Sequence, residues 1–93
     1  MSKYYVGDIG VKIVVDTGID ISNATVLQLK VRKPDNTEVD WTATFEGLTK
    51  LSYTIISGDW TQAGRYLLQS YVETPTWKAK GETTSFEVYY KFK

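Results

Sequence analysis

The sequence contains neither histidine nor cysteine, so the side chains that most often serve as nucleophile, general base or zinc ligand are absent. A serine–lysine pair is the remaining option for covalent catalysis, and Lys50 and Ser52 are predicted to share one exposed strand face. An exposed ammonium group is protonated at neutral pH and is a poor base. We therefore predict that the protein is not an enzyme and has no catalytic residues.

Carboxylates suggest two further kinds of chemistry, glycoside hydrolysis and calcium binding. Glu38 and Asp40 share an outward strand face, but nothing indicates the concave apolar site that would separate the pKa values of a carboxyl pair. Asp16, Asp20 and Asn23 lack the glycine and the terminal glutamate of the helix–loop–helix calcium pattern. Solvated surface positions explain both groups better, and we expect no cofactor and no metal site.

Segment 74–82 combines a tryptophan with two lysines and reads as the loop between the last two strands. A rigid aromatic anchor with charges at its rim is typical of a binding tip. We predict a partner-binding loop formed by Trp77, Lys78 and Lys80. Trp77 alternatively folds back over the end of the core, and the same two interpretations stay open for Trp60 as a stacking residue.

Outward aromatic and apolar residues suggest a second contact surface. By strand alternation Tyr71, Tyr89, Leu67 and Val14 point away from the core, and Tyr71 and Tyr89 are expected to pair across neighbouring strands. An apolar outer face is typical of contact with another chain. We predict an outer-face interface formed by Tyr71, Tyr89 and Leu67.

Length and charge exclude several classes of protein. A chain of 93 residues forms one domain, which we assign to residues 1–93. The 11 basic and 11 acidic residues give a formal net charge of zero, so we expect no nucleic-acid partner. No apolar run approaches the roughly 20 residues that span a bilayer, so we expect no membrane insertion.

Apolar residues recur at every second position, which is the period of a strand with one buried face. No segment shows a helical stripe, and turn formers such as the sequence PDNT separate the runs. The pattern predicts an all-β protein of about six or seven short strands, either a sandwich or a small barrel. The alternating segments are 9–15, 27–31, 39–45, 51–55 and 86–92.

The segment GDWTQAGRY (residues 58–66) predicts how the chain crosses between sheets. We expect Asp59 to accept hydrogen bonds from local backbone amides, Gly64 to let the chain bend, and Tyr66 to point inward with its hydroxyl tied back to the corner. Immunoglobulin-like domains have such a tyrosine corner before a central strand. This favours an immunoglobulin-like antiparallel β-sandwich.

The corner also suggests which residues replace the usual immunoglobulin disulfide. Leu68 lies two residues after Tyr66, where the second cysteine is expected, and Leu29 is the predicted replacement for the first. Trp41 is the predicted core tryptophan. A sandwich without a disulfide must be held together by packing alone.

Four short motifs are spread over most of the chain, namely Asn23-Ala24-Thr25, Lys33-Pro34-Asp35, Asp59 with Gly64-Arg65-Tyr66, and Phe86-Glu87-Val88. In this order they resemble the immunoglobulin-like domains of bacteriophage tail and baseplate proteins, including the N-terminal domain of baseplate upper proteins. Asn36 stands where those domains usually have glycine.

The resemblance implies a structural or binding module of a phage or prophage particle, assembled in the bacterial cytoplasm. Its partners would be other virion proteins or a second copy of the chain. The shared residues build turns and core, so no functional residue set carries over. A carbohydrate-binding module is the alternative, with Trp60 and Trp77 stacking on the sugar rings of a glycan.

Overall fold

The computed structural model describes residues 3–92 as eight strands and no helix. In this part of the chain, accordingly, no helix has the length and hydropathy to cross a membrane. The strands are β1 (Tyr4–Tyr5), β2 (Lys12–Asp16), β3 (Val26–Arg32), β4 (Glu38–Thr42), β5 (Thr44–Phe45), β6 (Lys50–Thr54), β7 (Gly64–Glu73) and β8 (Lys78–Tyr89).

The strands form two sheets, in the orders β1-β8-β7-β3-β4 and β2-β6-β5. The predicted all-β sandwich is therefore confirmed. The prediction of purely antiparallel pairing is wrong for one pair, because β1 runs parallel to β8 with Tyr4 opposite Val88. Strand β1 has only two residues, too few to show an alternation of apolar and polar positions, so it could not be predicted from the sequence.

The alternating run 39–45 is divided between the two sheets rather than forming one strand. The N–H of Ala43 donates to the carbonyl of Leu27 at 3.0 Å, and beyond this point the chain leaves β4 for β5 in the opposite sheet. Alternation continues through the crossing because Trp41 and Ala43 are both buried between the sheets.

The strand order is that of an immunoglobulin sandwich. The sheet β2-β6-β5 corresponds to strands B, E and D, while β3, β7 and β8 correspond to C, F and G, with β4 added beside β3. The predicted replacement of the first cysteine is therefore wrong, whereas Leu68 lies on strand F, as predicted for the second. Leu29 on β3 and Leu68 on β7 lie on neighbouring strands of one sheet, whereas the immunoglobulin disulfide joins two sheets.

Ile13 on β2 is the buried residue of strand B and lies in the sheet opposite Leu68. Trp41 is buried as expected, but on β4, one strand beyond the position of the core tryptophan. Its ring stacks on Tyr53 of the other sheet, with ring centroids 4.6 Å apart. The contact between sheets that a disulfide would supply is supplied by packing.

The tyrosine corner is confirmed. Tyr66 has no exposed surface, and its hydroxyl donates to the carbonyl of Gln62 at 2.8 Å. Asp59 accepts hydrogen bonds from the N–H of Ile56 at 2.9 Å and from the hydroxyl of Tyr53 at 2.7 Å. The crossing from β6 to β7 is thus fixed at both ends by side chains.

Gly64 is needed for close approach as well as for bending. Its φ of +132° is left-handed, and an added Cβ would lie 2.9 Å from the Cβ of Pro34. Gln62 further joins the same two segments, accepting from the N–H of Asp35 at 3.2 Å and donating to its carboxylate at 2.9 Å. The turn after β3 takes the left-handed conformation expected at Asn36, with φ of 71°.

We expect Tyr66→Phe to lower the free energy of unfolding by about 1 kcal/mol, because it removes a hydroxyl donor and leaves the Gln62 carbonyl without its partner. Urea denaturation monitored by tryptophan fluorescence measures the change. Tyr90→Phe is the matched control at a position that is 64% exposed, and it should change stability by less than about 0.5 kcal/mol. Equal stabilities for the two variants would contradict the assigned role of the corner.

Candidate functional site

Three connections meet at one end of the sandwich, namely residues 17–25, 46–49 and 74–77, which we call the loop end. Two hydrogen bonds join the first connection to the second. The N–H of Thr17 donates to the carbonyl of Thr49 and the N–H of Ile21 donates to the carbonyl of Leu48, each at 2.8 Å. The first connection is also bonded to β7, the strand that leads into the third connection, because the N–H of Thr25 donates to the carbonyl of Glu73 at 2.7 Å. Backbone hydrogen bonds therefore join the first two connections to each other, and the first connection to the end of the strand from which the third connection leaves.

Two acidic residues, Asp16 at the end of β2 and Asp20 in the first connection, support the turns of the loop end. Asp16 accepts a hydrogen bond from the N–H of Gly18 at 2.9 Å, and Asp20 accepts one from Ser22 at 2.8 Å. These bonds lower the pKa of both carboxyl groups, since they stabilise the charged form. Within residues 3–92, no group of three or more metal-ligating side chains is placed to hold an ion.

Large apolar side chains of the loop end are exposed to solvent. The exposed fractions are 49% for Ile19, 50% for Phe45 at the edge of the second connection, and 69% for Leu48. None of the three was predicted from the sequence as a contact residue. Phe45 ends the alternating run 39–45 and was expected on its buried face, whereas Ile19 and Leu48 interrupt otherwise polar turns, which was the available signal.

The predicted loop 74–82 is shorter than expected. Residues 78–82 already belong to β8, which leaves a tight turn centred on Pro75 and Thr76. The N–H of Thr74 donates to the carbonyl of Trp77 at 2.8 Å, and the N–H of Trp77 donates to Oγ1 of Thr74 at 3.1 Å. The Trp77 side chain is half-buried against the core, as the second interpretation expected, and a binding role for it stays a prediction.

Lys78 and Lys80 are exposed on β8, opposite Glu73 and Tyr71 respectively. The ammonium of Lys80 lies 5.7 Å from the centroid of the Tyr71 ring, and that of Lys30 lies 4.8 Å from it. The Tyr71 hydroxyl donates to the Glu73 carboxylate at 2.6 Å, and this bond, with burial, raises the pKa of Tyr71. These residues form a charged rim beside the loop end.

The predicted pairing of Tyr71 with Tyr89 is wrong. Tyr71 is opposite Lys80, and Tyr89 is nine residues farther along β8, or about 30 Å at 3.3 Å per residue. Tyr89 instead pairs with Tyr5 on β1, with ring centroids 6.5 Å apart. Leu67 is half-buried on the outer face between these two points, so the three residues do not form one patch.

Trp60 belongs to the core. It is 2% exposed, and its ring centroid lies 5.0 Å from that of Tyr4 and 5.5 Å from that of Phe86. In this position the ring is unavailable to stack on a sugar, so the predicted stacking site is corrected. Its Nε1 is the one buried side-chain nitrogen or oxygen of residues 3–92 that has no hydrogen-bond partner.

The expected serine–lysine face is also corrected. Ser52 is 4% exposed, and its hydroxyl lies 3.4 Å from Oγ1 of Thr44 on the neighbouring strand, whereas Lys50 is exposed. A short residue on the outer face of a central strand is covered by the side chains of the strands on both sides.

Comparison with known protein families found no family that this sequence matches, and comparison with curated proteins found no relative. The loop end is therefore a candidate site on its geometry alone. It offers a preformed apolar surface with a charged rim, which suits binding.

The buried tyrosines predict how stability depends on alkaline pH. Burial, followed by the hydrogen bond to Asp59, raises the pKa of Tyr53, and burial raises that of Tyr66 in spite of its bond to Gln62. A tyrosine with a raised folded-state pKa stabilises the folded protein fully below the unfolded pKa of about 10, and this contribution is lost as pH rises above it.

We therefore expect the free energy of unfolding to fall from about pH 10 upward, while Tyr53 and Tyr66 ionise only on unfolding. Urea denaturation at a series of pH values, with absorbance of the ionised phenol recorded in parallel, tests this. Tyr53→Phe should make the fall less steep than the surface control Tyr90→Phe does. Full ionisation of all tyrosines in the folded protein would contradict the expectation.

Proposed function

We propose that this protein is a non-enzymatic structural and binding module of a bacteriophage or prophage particle, in its tail or baseplate, and that the loop end contacts another virion protein. The observation that carries the binding role is the exposure of Ile19, Phe45 and Leu48 on one hydrogen-bonded surface. The proposed virion role is supported by the resemblance of the turn and corner motifs to phage tail domains.

The loop end has the properties of a preorganised contact surface. The two connections that carry Ile19 and Leu48 are bonded to each other through backbone groups, so little conformational entropy is lost when a partner binds. Half-exposed apolar side chains gain roughly 25 cal/mol for each Å² that a partner covers. The lysines of β8 lie at the rim, where charges set orientation more than affinity.

A virion role is tested by the composition of the particle. We expect peptides of this chain in density-gradient-purified particles from the host that carries its gene, at a fixed ratio to the major tail protein. Mass spectrometry of the particle fractions measures that ratio. Abundant peptides in the cell lysate together with none in the particles would contradict the proposal.

The loop-end contact is tested with a charge placed at its most exposed apolar residue. We expect Leu48→Asp to weaken binding to purified tail or baseplate proteins by about tenfold or more, as loss of a central apolar contact does. Ile56→Asp is the matched control, because Ile56 is similarly exposed at 58% but lies near the opposite end, after β6. Titration calorimetry with both variants separates the two surfaces, and equal affinities would exclude the loop end as the contact.

A further inference from the structure

Strand β2 leaves one edge of the three-stranded sheet uncovered. Within residues 3–92, β2 is hydrogen-bonded to β6 on one side and to no strand on the other. On either side of β2, the carbonyl of Val11 accepts from the N–H of Ile55 and the N–H of Thr17 donates to the carbonyl of Thr49. The backbone groups of the odd-numbered residues of β2 therefore point toward β6. The N–H and C=O groups of Lys12, Val14 and Asp16 therefore point to the free edge.

The sequence of β2, KIVVD, is complementary to itself when reversed. Antiparallel pairing with a second β2, centred on Val14, places Lys12 opposite Asp16 of the other copy at both ends. The same register pairs Ile13 with Val15 on the inner face and Val14 with its own counterpart on the outer face. The even-numbered pairs are 12 with 16, 14 with 14 and 16 with 12 of the other copy. The N–H and C=O groups of these residues point to the free edge, so each pair can form two hydrogen bonds, about six in all.

The other long edges are protected against such pairing. Strand β4 carries Glu38 and Asp40 on its outward face, and self-pairing would bring like charges together. Strand β8 carries Lys78 and Lys80 and is interrupted by an irregularity in the register opposite Gln69–Tyr71. Lysines and bulges are the usual means of blocking edge pairing. Strand β2 has no bulge in its pairing with β6, and its one lysine, Lys12, would face the Asp16 carboxylate of the other copy.

We propose that β2 pairs antiparallel with β2 of a second copy, joining two three-stranded sheets into one. An open cleft lined by Val15, Gly81 and Thr84 separates β2 from β8, so β8 does not cover the free edge of β2. Val14, an apolar residue that is 46% exposed on this edge, is covered by its counterpart in the pair. This surface adjoins the loop end at Asp16 but includes none of its exposed apolar residues Ile19, Phe45 and Leu48, and it goes beyond the proposed function.

Both charged residues of the seam have partners within their own chain. The ammonium of Lys12 lies 2.7 Å from the carboxylate of Glu46, and Asp16 accepts from the N–H of Gly18. The Lys12–Glu46 pair is solvent-exposed, with 51% of the lysine side chain accessible, and such pairs are weak. The ammonium can therefore turn to the facing carboxylate as the strands meet.

Charge reversal tests the register. Sedimentation equilibrium of the wild-type chain from about 10 μM to about 1 mM should show a monomer–dimer equilibrium. Lys12→Asp and Asp16→Lys should each raise the dimer dissociation constant by about tenfold, since each makes like charges face each other twice per dimer. The double variant exchanges the charges and should restore wild-type affinity.

A cysteine placed at the centre of the seam tests its position. Residues directly opposite in a hydrogen-bonded antiparallel pair have Cα atoms about 5.5 Å apart, within the range that a disulfide spans. Because the chain has no native cysteine, Val14→Cys should form a covalent dimer under mild oxidation. Thr54→Cys is the matched control, exposed on the neighbouring strand β6, and should stay monomeric.

The two tests overturn the proposal in distinct ways. A wild-type chain that is monomeric at all concentrations excludes it, and so does a dimer that both charge reversals leave unchanged or that the double variant fails to restore. Cross-linking of both cysteine variants alike would show random collision. Circular dichroism shows whether each variant is folded. Leu48→Asp should leave the dimer dissociation constant unchanged, so the test of the β2 pairing is independent of the test of the loop end.

Discussion

The chain must pass from β6 in one sheet to β7 in the other, and residues 55–63 determine how the two sheets lie on each other. Asp59 holds the start of this crossing through the N–H of Ile56 and the hydroxyl of Tyr53, while Tyr66 holds its end through the Gln62 carbonyl. These three hydrogen bonds fix the corner, which directs Tyr66 into the core without a disulfide between the sheets. Tyr66 lies opposite Phe86 in the pairing of β7 with β8, before the register of that pair shifts between Gln69 and Tyr71.

Around Tyr66 the core is mainly aromatic at one end. The Tyr66 ring stacks on Phe86 with centroids 5.4 Å apart, and Phe86 also contacts Tyr4 and Trp60. Aromatic pairs of this kind contribute roughly 0.5–1.5 kcal/mol beyond the area they bury. Through Tyr4 and Phe86 the cluster packs the short strand β1 against β8. The indole N–H of Trp60 is buried in this cluster without a hydrogen-bond partner, which is unfavourable.

Alternation predicted β2, β3, β4 and β6 because each has one buried face, and the corner motif located Tyr66 because its chemistry is local. Pairing between strands depends on contacts far apart in sequence, so the parallel β1 and the separation of Tyr71 from Tyr89 could not be predicted. Leu29 was predicted to replace the first cysteine because it lies on a strand preceding Tyr66, but strand B is β2 and not β3. The burial of Trp60 and Ser52 was likewise decided by neighbours from other strands.

The two proposed contact surfaces lie on different sides of the sandwich, which determines how an assembly could be built from them. The loop end lies at one end of the strands, whereas the β2 edge runs alongside them. Antiparallel pairing relates two copies by a two-fold axis perpendicular to the strands, so their loop ends point in opposite directions. A pair joined at β2 would therefore connect two separate partners rather than hold one partner with two contacts. A small sandwich held only by packing suits that role, since the exposed apolar residues of the two surfaces, Leu48 and Val14, lie outside the buried core.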